Sequence, residues 1–266
     1  MKGEGEERTQ LEVSLRQCLR SLVEKLTHLK ELHLDEVNIS SSVPHILANV
    51  SSLTALSLVE CELQGEFPAK IFQLPNLHYI NVQGNENLSG YLPEFEKSSP
   101  LQRLILERTT FSGSIPSSLG NLSSLEELRL GYNNFSSQDS RSLSWIAKFG
   151  KLTLLSLSQI NLVGEIPSWL MNLTHLTGLG MRANYLNGPI PYWLMNLYQL
   201  ERLSLSSNRF TGRIPIEIRN LTQLSFLELG SNQLQGPLPS AFYDFKNLYW
   251  LDVASNNLSG IVDLEF

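Results

Sequence analysis

Aliphatic residues recur along the chain in triplets of the form L-x-x-L-x-L, beginning at Leu29, Leu53, Leu77, Leu101, Leu125, Leu152, Leu176, Leu200, Leu224 and Leu248. Eight of the nine intervals are 24 residues and one is 27, so the starts hold one register over most of the chain. In Leu200-Glu201-Arg202-Leu203-Ser204-Leu205 the last three residues alternate apolar and polar, which predicts a short strand with one buried face. Asn208, Phe210, Gly212, Ile214 and Pro215 follow. Proline cannot continue a sheet ladder and glycine eases a tight bend, so the chain turns there. A short apolar stretch from Ile218 to Leu221 then leads to the next strand at Leu224. Each unit is one coil, and the pattern predicts an α/β repeat solenoid of about ten coils.

A single coil cannot stand alone. Ordering its backbone costs on the order of 24–48 kcal/mol. Burying about seven apolar side chains returns roughly 10–20 kcal/mol. Neighbouring coils must share strand hydrogen bonds and complete the core. Asparagine recurs eight residues after the repeat start, at Asn85, Asn133, Asn184, Asn208, Asn232 and Asn256, where an amide can satisfy backbone groups of adjacent coils. Val37, Cys61, Thr109 and Ile160 stand in that column elsewhere. Cys61 is therefore expected as a small buried ladder residue, and Cys18 as packing beside Leu15, Leu19 and Leu22. A Cys18–Cys61 bridge is the less favoured alternative.

The unit L-x-x-L-x-L-x-x-N-x-L-x-G-x-I-P resembles the plant-type leucine-rich repeat. Its Gly-x-Ile-Pro core stands at Gly113–Pro116, Gly164–Pro167 and Gly212–Pro215, with variants at Gly65–Pro68, Gly188–Pro191 and Gly236–Pro239. The segments Gly65-Glu66-Phe67-Pro68-Ala69-Lys70-Ile71-Phe72-Gln73-Leu74-Pro75-Asn76-Leu77 and Gly90-Tyr91-Leu92-Pro93-Glu94-Phe95 are similar to the extracellular region of plant receptor-like proteins of the disease-resistance type. That resemblance implies a right-handed superhelix with a parallel concave sheet and an irregular or 3-10 convex side. It also implies a non-catalytic recognition module for a protein or peptide ligand in plant defence or developmental signalling. A receptor-kinase co-receptor, no cofactor, and the extracellular side of the plasma membrane complete the picture. The alternatives are a secreted inhibitor resembling the polygalacturonase inhibitors and a truncated remnant without independent function.

Composition narrows the field further. The chain has 266 residues, a formal net charge of -6 and a sequence pI of about 5.4, which argues against a nucleic-acid partner. No run approaches the roughly 20 apolar residues of a membrane-spanning helix. The Glu-rich opening, residues 1–10, is expected to be disordered and does not read as a secretory signal. Residues 11–28 are expected to form either an amphipathic helix carrying Leu11, Leu15, Cys18, Leu19, Leu22 and Leu26 or the tail of a coil whose strand is missing. Residues 29–266 form the repeat domain. Two local departures stand out: an extra residue in the third coil before Leu92-Pro93, and the 27-residue fifth coil. The fifth coil replaces Gly-x-Ile-Pro with Ser136 to Gly150, where Trp145, Ile146 and Phe149 predict a short helix.

No nucleophile elbow, zinc-binding helix, phosphate loop or kinase signature occurs, and His28, His33, His45, His78 and His175 are scattered over different coils. An enzyme is not expected, nor a metal site. Function is expected on the concave strands, whose outward side chains are rich in charge and aromatics in coils one, three to five, nine and ten. Coils six to eight offer only Ser156, Ser158, Gly180, Ser204 and Ser206. Because Tyr, Trp and Arg dominate binding hot spots, the candidate ligand-binding residues are Tyr79, Arg103, Arg108, Arg129 and Tyr132, with Trp250 as a separate anchor. Eight N-x-S/T sequons, at Asn38, Asn49, Asn87, Asn121, Asn134, Asn172, Asn220 and Asn257, are candidate glycosylation sites if the chain is secreted.

Overall fold

The computed structural model describes residues 19–95 and 99–260. Each L-x-x-L-x-L triplet forms a three-residue strand over its last part, as in Glu31–His33 and Arg202–Ser204. The alternation predicted from the sequence is present: Leu32, Leu56, Ile80, Leu104, Leu128, Leu155, Leu179, Leu203 and Leu227 point inward and are buried.

The described residues fall into two compact units, one running to Leu125 and including Tyr132–Ser136, the other comprising Glu126–Gly131 and Ser137 onward. In the first unit, Glu31–His33, Ala55–Ser57, Tyr79–Asn81 and Arg103–Ile105 pair in parallel, with Glu31 beside Ala55, Ala55 beside Tyr79 and Tyr79 beside Arg103. In the second, Glu127–Arg129, Leu154–Ser156, Gly178–Gly180, Arg202–Ser204, Phe226–Glu228 and Trp250–Asp252 do the same. The 27-residue interval reappears as the pairing of Glu127 with Leu154, so the long coil keeps strand register and places its surplus elsewhere.

A second ladder, which the sequence reading did not anticipate, runs along each unit. It is built from Gln64–Glu66, Asn87–Gly90, Thr110–Gly113 and Asn134–Phe135 in the first unit. In the second it comprises Gln138–Asp139, Leu162–Gly164, Tyr185–Pro189, Arg209–Gly212, Gln233–Gly236 and Asn257–Leu258. The extra residue of the third coil is visible here. Gln64 pairs with Asn87 and Ser89 with Thr110, whereas regular coils pair Val163 with Tyr185 and Asn187 with Arg209. The Asn87–Gly90 strand thus sits one residue late relative to both neighbours, and the ladder is recovered in the next coil.

The return path is a 3-10 turn. Seven described segments, including Ala69–Gln73, Ser117–Asn121 and Ile216–Asn220, follow directly on a proline, which is held in extended conformation in all of them but the one after Pro239. Proline's fixed φ suits the residue before a helical turn, and its missing N–H costs nothing there. The fifth coil starts instead from Asp139, whose carboxylate accepts the Arg141 N–H at 2.8 Å and also grips the Arg141 guanidinium. Its helix, Ser140–Lys148, is 3-10 with a kink at Leu143 and buries Leu143, Trp145 and Ile146. Trp145 packs edge-on against buried Phe149 at 5.9 Å, so the surplus residues of this coil fill core. Phe67, Phe72, Phe95 and Phe111 form a corresponding aromatic cluster in the first unit.

Residues 19–25 are α-helical, and Leu19 and Val23 are their buried members. Leu22 and Leu26, expected on the apolar stripe, are 38% and 42% exposed instead. The i,i+4 spacing of Leu19 and Val23 puts that pair on one helical face. Residues 1–10, Leu11, Leu15 and Cys18 lie outside the described residues, and the expectations made for them, including the Cys18–Cys61 bridge, go with them.

Candidate functional site

The asparagine column determines how each strand ends. Asn85 is 1% exposed; its Oδ1 accepts the backbone N–H groups of Cys61 at 3.0 Å and Leu63 at 2.9 Å, one coil back. Its Nδ2 donates to the carbonyls of Leu58 and Val82. Asn184, Asn208, Asn232 and Asn256 repeat the arrangement. Asn133 also accepts the Thr109 hydroxyl at 2.7 Å. Cys61 is fully buried and unbridged, and its thiol donates to the Leu34 carbonyl at 2.9 Å, the bond an asparagine Nδ2 makes elsewhere. Burial pushes the Cys61 thiol up to about 11, with Asp35 adding to the rise.

The residue before that column is left-handed in every coil: Glu36, Glu60, Gly84, Arg108, Tyr132, Gln159, Ala183, Ser207, Ser231 and Ser255 all have φ between 50° and 76°. Only Gly84 adopts this conformation without the penalty of a Cβ. Two candidate residues, Arg108 and Tyr132, therefore project from a strained turn and not from a strand. The Arg108 guanidinium lies 5.6 Å from the centre of the Tyr132 ring.

Tyr79 and Arg103 sit opposite one another on adjacent strands of the first unit, and Arg103 stands 5.5 Å over the Tyr79 ring. The Tyr79 hydroxyl accepts from Asn81 at 3.1 Å, and the His33 ring lies 6.4 Å away. The first unit thus gathers four of the six candidates into two stacked cation–aromatic pairs, each with a half-buried tyrosine and an exposed arginine. Contacts of this kind contribute about 0.5–1 kcal/mol at open sites. Arg129 belongs to the second unit and is ion-paired with Glu127, whose side chain is 7% exposed. That pairing neutralises a nearly buried carboxylate, so Arg129 has a structural duty.

Trp250 stands in a cluster that composition alone concealed. Arg202, Phe226 and Trp250 lie side by side on consecutive strands. The Phe226 and Trp250 rings stack at 5.9 Å and 8°, and the Arg202 guanidinium lies 4.5 Å over Phe226. Arg202 also donates to the Tyr249 hydroxyl at 3.1 Å. Beside this row, Glu228 accepts from Ser204 at 2.6 Å and pairs with Arg182 at 3.8 Å. The sequence reading passed over Arg202 and Arg182 because it treated coils six to eight as bland. The available signal was Arg202 standing exactly one repeat before Phe226 and two before Trp250.

Of the sequons, Asn38, Asn49, Asn87, Asn134, Asn172 and Asn257 are exposed, while Asn121 and Asn220 are half-buried. Among the described residues no group of three or more His, Cys, Asp or Glu side chains is placed to hold a metal ion, and no helix is long and apolar enough to cross a membrane.

The Leucine Rich Repeat family profile matches residues 100–122 and 199–221. Receptor-like protein 6 of Arabidopsis thaliana is 39% identical over 112 residues, 42% of this chain and 11% of that protein. Receptor-like protein Cf-9 of Solanum pimpinellifolium is 37% identical over 107 residues, 39% of this chain and 12% of that protein. Among solved structures, the plant peptide hormone receptor RGFR1 in complex with RGF2 superposes with a TM-score of 0.72 at 33% identity, over 88% of this chain and 41% of that one. The Arabidopsis receptor kinase HAESA, in complex with the peptide hormone IDA and the co-receptor SERK1, gives 0.71 at 31% identity, over 90% and 43%. The fold, the coil chemistry and these likenesses define a leucine-rich repeat protein. More particularly, the chain is of the plant type and is similar to the plant receptor-like proteins, of whose length it spans about a tenth.

Proposed function

We propose that this chain is a non-catalytic recognition module from the extracellular part of a plant receptor-like protein. It binds an extended protein or peptide ligand on the outward face of its main-sheet strands and works with a co-receptor in defence or developmental signalling. The observation that carries this reading is the row of Arg202, Phe226 and Trp250, side chains in strand register that are stacked yet open to solvent. Side chains fixed in advance lose little entropy when a ligand arrives, and aromatic and arginine anchors dominate interface energetics. In the first unit Tyr79 with Arg103 and Arg108 with Tyr132 supply anchors of the same chemistry. Two of the solved relatives are complexes with peptide hormones, one of them with a co-receptor, which supports a peptide as the ligand class.

The test is a displayed random-peptide selection against the secreted chain. Enriched peptides should lose at least tenfold in affinity for Phe226→Ala/Trp250→Ala or for Tyr79→Ala/Arg103→Ala, with the circular dichroism spectrum retained. Failure to enrich any peptide, or equal binding by both double variants, overturns the reading.

A further inference from the structure

The second ladders of the two units carry opposite charge. Nine residues after the repeat start stand Glu62 and Glu86 in the second and third coils, but Tyr185 and Arg209 in the seventh and eighth. Four residues further on, Glu66 of the second coil holds the place that Pro189 and Arg213 take in the seventh and eighth. Residues 53–100 contain six Glu and two Lys, whereas residues 176–223 contain five Arg and two Glu, so the first pair of coils is acidic and the second basic.

Both faces hold these charges open to solvent. Glu62, Glu66, Glu86, Arg209 and Arg213 are exposed, and among the described residues none of the five is ion-paired. In the first unit Ser40, Glu62, Gln64, Gly84, Glu86 and Asn87 line a groove of about 500 Å³. The Ser40 hydroxyl donates to Glu62 at 2.7 Å, and the Glu60 stem lies across Gly84, where an added Cβ would collide with it. In the second unit the Arg209 guanidinium lies 5.2 Å from the centre of the exposed Tyr185 ring. Arg213 lies across Gly236, whose added Cβ would come 3.1 Å from its Cγ. Glu165, one coil back, lies over Gly188 and pairs with neither arginine. Tyr192 and Ile216 start 3-10 segments three residues after Pro189 and Arg213 and are exposed, as is Tyr91 in the first unit.

We propose that copies of this chain associate through these faces. The stacked Tyr185 and Arg209 of one copy seat in the groove between Glu62 and Glu86 of the other, with Arg213 against Glu66. A guanidinium meets a carboxylate through two parallel hydrogen bonds, and a ring beside it adds apolar contact of the kind that anchors interfaces. Charge complementarity points to a second copy as the occupant, because one chain carries both halves of the contact. The net charge of -6 would by itself hold copies apart, so association must come from the local faces. None of these side chains lies on a main-sheet strand, so the contact is independent of the peptide recognition proposed above.

The test is sedimentation velocity of the chain purified from bacteria, where Asn87 of the groove stays unmodified. Association is expected at about 50 mM salt and should fall steeply by about 500 mM as the facing charges are screened, whereas net-charge repulsion alone gives the opposite order. Arg209→Glu/Arg213→Glu and Glu62→Arg/Glu86→Arg, each with an unchanged circular dichroism spectrum, should each associate at least tenfold more weakly on their own. Mixed in equal amounts the two variants should associate again, because one then presents two acidic faces and the other two basic ones. Tyr185→Ala should weaken the native association several-fold. A chain that stays monomeric at low salt, an association that salt strengthens, or a mixture of the reversed variants that does not recover overturns the proposal.

Discussion

Asn85 reaches back one coil, and its side-chain Oδ1 accepts the backbone N–H of Cys61 at 3.0 Å. Asn85→Ala would strand that N–H and the Leu63 N–H in a buried place. An unsatisfied buried donor costs about 1–3 kcal/mol, so the pair should cost about 2–5 kcal/mol. Urea denaturation of the variant is expected to show a clearly lowered midpoint. Asn85→Asp keeps the acceptor and should recover part of the loss, whereas Asn85→Leu should recover none. A midpoint unchanged by Asn85→Ala would show that the ladder is not what fastens the coils.

Two glycines that look alike in sequence should respond differently to alanine. At Gly90 an added Cβ would lie 2.8 Å from two ring atoms of Phe111, itself fully buried among Phe67 and Phe72. At Gly178 the close neighbour is the terminal Cδ2 of Leu154, a half-exposed side chain that can rotate away. Overpacking a rigid core costs about 1–3 kcal/mol, so Gly90→Ala is expected to destabilise by that amount and Gly178→Ala by well under 1 kcal/mol. Paired thermal melts decide it, and equal shifts would refute the account.

The architecture was readable because each coil repeats the same few physical demands. The buried leucines, the asparagine ladder and the prolines before the 3-10 turns each answer one demand at one offset. The second ladder was not readable, because its strands are two to five residues long, most end in or near the Gly that bends the chain, and the first, Gln64-Gly65-Glu66, is wholly exposed and lacks strand-forming residues. The candidate site was half readable. Tyr79 and Arg103 are one repeat apart, so register alone pairs them. That Arg108 and Tyr132 stand on a left-handed turn, or that Arg129 is tied to Glu127, follows from backbone torsion and rotamer, on which composition is silent.

Cys61 gives a pH-dependent check. Its thiol is neutral and hydrogen-bonded in the fold, with the pKa raised from 9.0 to about 11. A folded pKa above the unfolded one adds stability that is complete below pH 9 and is lost as the pH rises toward 11. The difference in stability between the native chain and Cys61→Ser should therefore be flat below pH 9 and shrink above it. Thiol-reactive dye at pH 8 should label Cys61 slowly in the native chain and rapidly in urea. Rapid native labelling would contradict the burial.

On the acid side the relevant pair is Asp139 and Arg141. The Arg141 side chain, followed by its backbone N–H, holds the Asp139 carboxyl down at about 2 from 3.8. A depressed carboxyl adds stability that is complete above pH 3.8 and is lost as the pH falls toward 2. Asp139→Asn should flatten that part of the acid limb in a pH series of thermal melts. The pair is solvent-exposed, so the effect should be small and should weaken further in high salt.

Tyr132 offers a way to separate stability from recognition. Its φ is 57°, a conformation that costs a residue with a Cβ about 1–2 kcal/mol relative to glycine, offset by the roughly 0.5–1 kcal/mol of chain entropy that glycine loses on folding. Tyr132→Gly should therefore leave stability unchanged or raise it slightly, even though it removes the stack with Arg108. Ser207→Gly, at the same turn in the second unit, should gain a similar amount. If the ring at 132 is kept for a ligand, Tyr132→Gly will weaken capture of peptides bound by the first unit, Tyr132→Phe will largely restore it, and Ser207→Gly will leave it untouched. A Tyr132→Gly chain that is both more stable and equally able to bind would leave the strained tyrosine with no role in recognition.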